Sequence, residues 1–274
     1  MKDVEITVEH FADGIATTKL RSWRKFDNAV KQLADDPDFI FRGQRRAEWK
    51  LESTLKRELN RLGKDYAKFM RDECHDYVEE FKRATQCRRG PNPPDLDDMG
   101  LWALARHYGM PTPVLDWTKS PFAAAFFAFW EPHECTLVPP RERAVFALLR
   151  KEIESKNSEI ESKTKETPPL ATVDPGQEIL SFETPYTHDN TRLVNQRGLF
   201  CFAFSGRCIE DWVAEHFRGS KNAVIIKFVI QEADSDRADF LTYLNRMNIN
   251  PVTLFPDIEG AAQYCKLTLE IPSY

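Results

Sequence analysis

The 274-residue sequence is short of glycine, with 11 residues, and it contains no long apolar run. Glycine and proline at these levels, 11 and 17, exclude a low-complexity chain. The longest apolar stretch, Phe122 to Trp130, falls far below the roughly 20 residues that a bilayer-spanning helix needs. Positive charge is not in excess. Lys and Arg number 38 against 43 Asp and Glu, for a net charge of −5, which excludes a whole-molecule basic field for nucleic acid and leaves only a local patch open. Close-spaced cysteine pairs are missing as well. Cys74, Cys87, Cys135, Cys201, Cys208 and Cys265 are scattered and read as reduced, mostly buried thiols. Cys201 and Cys208 are too far apart for a zinc knuckle, and His133-Glu134-Cys135 lacks the cysteine pair of a zinc-deaminase site, so no metal is expected. Nucleophile-elbow, phosphate-loop and dinucleotide fingerprints are also absent. Met1 to His10 is charged and does not read as a signal peptide. The expectation is a soluble, cytoplasmic protein without a membrane segment.

What is present is core-forming. Hydrophobic residues make up 42% and aromatics 12%, with 19 Phe and 6 Trp. Val4, Ile6 and Val8 alternate like a half-buried strand, and Ser22 precedes a helix with Trp23, Phe26, Val30 and Leu33 on one face. Strands are expected at Phe39 to Phe41, Val114 to Trp117, Ala144 to Leu149, Leu199 to Phe204 and Ala223 to Ile230, with a last one at Lys266 to Ile271. One long periodic helix is expected over 65–86, and others near 101–108, after Ser120-Pro121, near 235–246 and at Ile258 to Tyr264. The pattern predicts an α+β fold: a mixed central sheet with flanking helices, in a single domain over 1–274. Residues 1–37 read as a lead-in and 38–272 as the core. The Lys-, Glu- and Ser-rich segment 151–168 reads as a mobile insertion or a solvated helix.

Three segments place polar groups beside strands. In Phe39-Ile40-Phe41-Arg42-Gly43-Gln44, Arg42 is a solvated edge residue, an internal ion-pair residue or a planar fork for phosphate or carboxylate. Gly43 permits close backbone approach or a positive φ, and Gln44 supplies a donor and an acceptor. In Val114-Leu115-Asp116-Trp117-Thr118-Lys119-Ser120-Pro121, Asp116 needs a partner, either Arg42 or His107 of the preceding helix end. His107 is itself either a ligand contact or a dipole-favoured cation. Trp117 reads as core. Thr118 and Ser120 precede an apolar helix whose free N–H groups favour an anion, although a plain N-cap explains Ser120. The third segment, Asn195-Gln196-Arg197-Gly198-Leu199-Phe200, puts Gln196 before a strand. Asp257 reads as a helix cap. Basic residues between Arg42 and Lys64, with Trp49 among them, form either a nucleic-acid patch or a solvated face.

These three segments together resemble the FRG domain family, in the expected order and over most of the chain from Phe39 onward. The order of an arginine, a Ser/Thr and a polar residue beside successive strands is in turn similar to the ADP-ribosyltransferase plan. The resemblance implies a split sheet and NAD as substrate. It also implies a macromolecular acceptor, protein or nucleic acid, and a toxin or defence role. It assigns NAD contact to Arg42, Gly43, Gln44, Thr118 and Ser120, and the reaction to Gln196, His107 and Asp116. Asn195-Gln196-Arg197 has no glutamate, a departure from protein-arginine transferases that leaves a nucleic-acid target or loss of catalysis open. The alternative is a non-catalytic module holding a phosphorylated or nucleic-acid ligand in the same pocket.

Overall fold

The computed structural model describes residues 8–31, 33, 36–90, 93, 95–132, 141–164, 179–184, 191–203, 205–232 and 236–274. The strands are β1 (His10–Ala12), β2 (Ile15–Leu20), β3 (Phe39–Gln44), β4 (Val114–Thr118), β5 (Arg141–Leu149), β6 (Leu180–Glu183), β7 (Gly198–Ala203) and β8 (Ile225–Glu232). The helices are α1 (Trp23–Lys31), α2 (Thr54–Arg61), α3 (Tyr66–Asp72), α4 (Cys74–Ala84), α5 (Asp98–His107), α6 (Pro121–Phe129) and α7 (Arg150–Thr164). They continue with α8 (Thr191–Asn195), α9 (Ile209–His216), α10 (Asp236–Arg246), α11 (Pro251–Leu254) and α12 (Ile258–Glu270). The strands form one sheet in the order β1-β2-β8-β5-β3-β4-β7-β6. β2 and β8 pair in parallel, and the remaining neighbours are antiparallel, so the sheet is mixed and the fold is α+β.

One seam in that sheet matters for everything that follows. β3 pairs with β5 from Phe39–Leu149 to Gln44–Ala144, and β4 pairs with β7 from Val114–Phe202 to Thr118–Gly198. Between β3 and β4 a single pair remains, Phe41–Thr118. Beyond it the two strands part.

Side-chain alternation builds a core on each face. From β5, Val145 and Ala147 join Phe26, Phe126, Phe129, Phe228 and Phe240 under α1, α6 and α10. Ala144, Phe146 and Leu148 of the same strand join Trp212 and Val213 under α9. A third cluster packs α2, α3 and α5 on Phe200 and Phe202. β2 and α1, both from the lead-in, belong to the sheet and the first core. Arg143 is fully buried beside Glu232, and it donates to Ala128 O and Glu131 O, which ties the end of α6 to β5.

Several expected elements differ. The helix over 65–86 is two helices, because Glu73 (φ −122°) ends α3 and begins α4. The expected strand Lys266 to Ile271 belongs to α12. Leu267 and Ile271, four apart, are buried while Leu269 between them is 85% exposed, which is helical spacing. Val8 is exposed and outside any strand, and Val4 and Ile6 lie outside the described residues. Segment 151–168 is helical to Thr164 and anchored, not poorly packed. Ile153 is fully buried, Ile160 packs on the same cluster, and Asn157 exchanges two hydrogen bonds with the Leu180 backbone. Residues 165–168 lie outside the described residues. Cys201 and Cys208 are buried, Cys74 is partly so, and Cys87 and Cys265 are exposed, all free; Cys135, with His133 and Glu134, lies outside the described residues. No helix among the described residues is long and apolar enough to cross a membrane.

Candidate functional site

A cavity of about 350 Å³ opens at the β3–β4 seam, a volume ordinary for a small-molecule site. Arg42 and Gly43 come from β3, Asp116 and Thr118 from β4, Arg106 and His107 from the end of α5. Ala124 and Phe127 come from α6, Arg192 and Gln196 from α8 and the turn after it, and Phe255 from the turn after α11. The lining is amphipathic, with charged groups from β3, β4, α5 and α8 and aromatic ones from β3, β4, β7, α6 and the α11 turn.

The charged part centres on one carboxylate. Arg106 donates to Asp116 Oδ2 from both Nε (2.9 Å) and Nη2 (2.7 Å). Arg42 reaches across the seam, with Nη1 2.5 Å from Asp116 O and 3.7 Å from the same Oδ2. The Arg42 side chain is only 16% exposed, and its Nε is buried without a partner. Burial pushes the Arg42 pKa down to about 10; Asp116 opposes the shift, and the like charges of Arg106 and Arg57 reinforce it. Asp116 holds Arg106 above its ordinary value against burial. Burial works against ionised Asp116, but Arg106 and Arg42 outweigh it and hold its carboxyl below the usual carboxylate range. Two guanidiniums thus share one counter-charge in a partly desolvated site.

Residues 37–136, which supply Arg42, Arg106, His107, Asp116 and Thr118, match the family model of the FRG domain. An FRG domain is indicated over these residues. No curated protein and no solved structure matches the chain. The matched FRG segment takes in the first two sequence motifs, while the third, around Gln196, lies beyond it.

Within the FRG segment the expected site residues separate into two groups. Arg42, Gly43, His107, Asp116 and Thr118 line the cleft, and Gln196 joins them from outside the segment. Gln44 and Ser120 are not among the lining residues. Gln44 is buried and donates to Lys50 O at 3.2 Å, bracing the chain after β3. Ser120 is the N-cap of α6, accepting from Ala123 N at 3.2 Å ahead of Pro121. Thr118 is also occupied: its hydroxyl donates to Gln196 O (2.5 Å) and accepts from Ser120 N (3.0 Å), so it joins the rims of the cleft. Gly43 serves close approach rather than positive φ. A Cβ there would lie 1.8 Å from Ala124 O, so its absence lets α6 sit on β3. His107 lines the cleft with its ring 4.7 Å from that of Tyr108. Trp117 is core, and Asp257 caps α12.

The outer rim is a clasp. Gln196 Nε2 donates to Leu254 O (3.0 Å) and Asn195 to Thr253 O (2.9 Å). Arg192 bonds Asp257 and Glu259 and lies over the Phe255 ring at 5.0 Å. Arg106 is the site residue that the sequence reading passed over. Its signal was its place one residue before His107, in the last turn of a helix that runs up to the Asp116 carboxylate. The basic run from Arg42 to Lys64 carries its own acids: Arg45 pairs with Glu131, Arg46 with Glu48, Lys50 with Asp211, Arg61 with Glu58 and Lys64 with Glu73. The solvated-face reading accounts for it. Among the described residues, no cluster of His, Cys, Asp and Glu is arranged to hold a metal ion.

Proposed function

We propose that the cleft binds a phosphorylated ligand of the nucleotide class, with its phosphates against Arg42 and Arg106. The observation that carries this reading is the single Asp116 oxygen serving two guanidiniums. The surplus positive charge is held where water screens it poorly, and burial already depresses the Arg42 pKa. An anion entering the cleft relieves that imbalance. Planar guanidinium groups suit phosphate oxygens, to which they give paired N–H donors.

The reaction we infer for this ligand is ADP-ribosyl transfer from NAD to a protein or nucleic-acid acceptor. The opening of the sheet between β3 and β4 supports it, because the two arms then flank an elongated ligand. In this reading the nicotinamide–ribose bond breaks, nicotinamide leaves, and the acceptor nucleophile bonds the ribose carbon and gives up its proton. Arg42 holds the pyrophosphate. Ionised Asp116 lies near developing oxocarbenium charge, His107 orients the acceptor, and the Gln196 side-chain oxygen meets a ribose hydroxyl or the acceptor. Thr118 and Ser120 take no part, since their hydroxyls are engaged within the protein. A toxin or defence role rests on the family resemblance alone.

Labelled NAD incubated with the protein and a panel of protein, RNA and DNA acceptors tests the reaction. Label transfer that Gln196→Ala or Arg42→Lys abolishes supports it. Nucleotide binding without transfer favours the non-catalytic module. The absence of both binding and transfer defeats both readings.

A further inference from the structure

α6 is apolar nearly all round, and of its aromatic residues Phe122 packs on Phe26 of α1. Phe126 and Phe129 are fully buried, whereas Phe127 is half-buried and lines the cleft. Phe255 is also half-buried and lines the same cavity. The two rings stand 5.9 Å apart, edge to face, and Trp130 backs Phe255 at 5.3 Å. Arg192, lying over Phe255, is held there by Asp257 and Glu259. The missing Cβ of Gly43 seats α6 directly on β3, next to Arg42. A fixed aromatic wall therefore belongs to the same cavity as the Arg42–Arg106 pair.

We infer that Phe127 and Phe255 form a second subsite of the cleft, one that takes an aromatic heterocycle such as a nucleobase. This rests on the phosphate reading of the other wall. Both rings pack on the first core with one side and border the cavity with the other. Set nearly at right angles, they give an apolar, polarisable corner to a planar ring, which takes edge contacts with them. The charged wall selects the phosphates, and the aromatic wall selects what is attached to them. A ligand that carries both groups makes both sets of contacts.

The test is titration calorimetry on the full chain with three probes: ADP, inorganic pyrophosphate and adenosine. Wild type is compared with Phe127→Leu, Phe255→Leu and Arg106→Gln, with melting curves as a check on folding. ADP is expected to bind at least about tenfold more tightly than pyrophosphate. Either Phe→Leu change should weaken ADP by about three- to tenfold, the scale of an aromatic contact, and leave pyrophosphate unchanged. Arg106→Gln should weaken both. Equal binding of ADP and pyrophosphate, or Phe variants that weaken both alike, overturns the subsite. If Phe255→Leu melts early, Phe127→Leu and the wild-type ADP-to-pyrophosphate ratio decide. If neither phosphate compound binds, the phosphate reading fails and adenosine decides the rest. Adenosine binding that Phe127→Leu weakens keeps the subsite, and no adenosine binding ends it too.

Discussion

Arg42 is pulled in two directions. It closes the seam by donating to Asp116 O, and it offers the cleft a guanidinium that Asp116 only half neutralises. The internal ion-pair reading of Arg42 is therefore met by its contacts with Asp116, and the ligand-fork reading is the proposal made for the cleft. Arg42→Lys keeps the charge but loses the planar fork. It is expected to lower stability by about 1–3 kcal/mol, the scale of a lost charge-assisted bond, as well as to weaken phosphate binding. A urea midpoint unchanged from wild type would show that the bond to Asp116 O contributes nothing. Asp116 supplies a pH dependence. Its folded carboxyl titrates below its unfolded value of about 4, so the unfolded chain binds the proton first as the solution is acidified. Its stabilisation is complete above that unfolded value and disappears as pH falls through the folded one. Asp116→Asn should flatten the loss of stability as pH falls below about 4 in urea titrations. An acid limb as steep as wild type would exclude Asp116 as a contributor. At this scale the sequence was legible where a residue sat in a motif, as with Arg42 and Asp116. It was silent on Arg106, whose role exists only because α5 ends beside β4.

Among elements, the packing of α6 on β3 is the tightest constraint. Gly43 has no positive φ, so backbone strain does not explain it; contact with Ala124 O does. Gly43→Ala is expected to destabilise by about 1–3 kcal/mol or more through overpacking, visible as an earlier melt. A neutral outcome would mean that α6 shifts freely on the sheet, and with it Phe127. α7 makes the opposite point. Its charge density left a mobile insertion or a solvated helix open; it is a helix, and Ile153 fills the second core while Asn157 pairs with β6. Ile153→Ala should cost about 2–4 kcal/mol in unfolding experiments, whereas a surface helix would tolerate it. The Ser120–Pro121 start of α6 was readable because capping chemistry is local. The single helix α12 was not. Leu267, Leu269 and Ile271 fit a period of two as well as the Leu267–Ile271 pair fits a helix, and only tertiary burial separates them.

For the whole molecule, the α+β class followed from strands and helices mixed along the chain, but the strand order did not. Nothing local says that β3 and β4 share a single pair, or that β2 from the lead-in lies parallel to β8. That topology brings β3, β4, α5, α6 and the α8–α11 clasp around one cavity. The central claim is that this cavity, with Arg106 and Arg42 sharing Asp116, is an anion site. Arg106 tests it most directly because it belongs to the cleft and crosses no strand pairing. The measurement is calorimetric titration of wild type and Arg106→Gln with inorganic pyrophosphate at low and at raised salt. The account predicts one site in wild type that weakens with salt, and an affinity at least about tenfold lower in the variant, equivalent to about 1.4 kcal/mol. No binding in wild type, or equal binding by the folded variant, would contradict it.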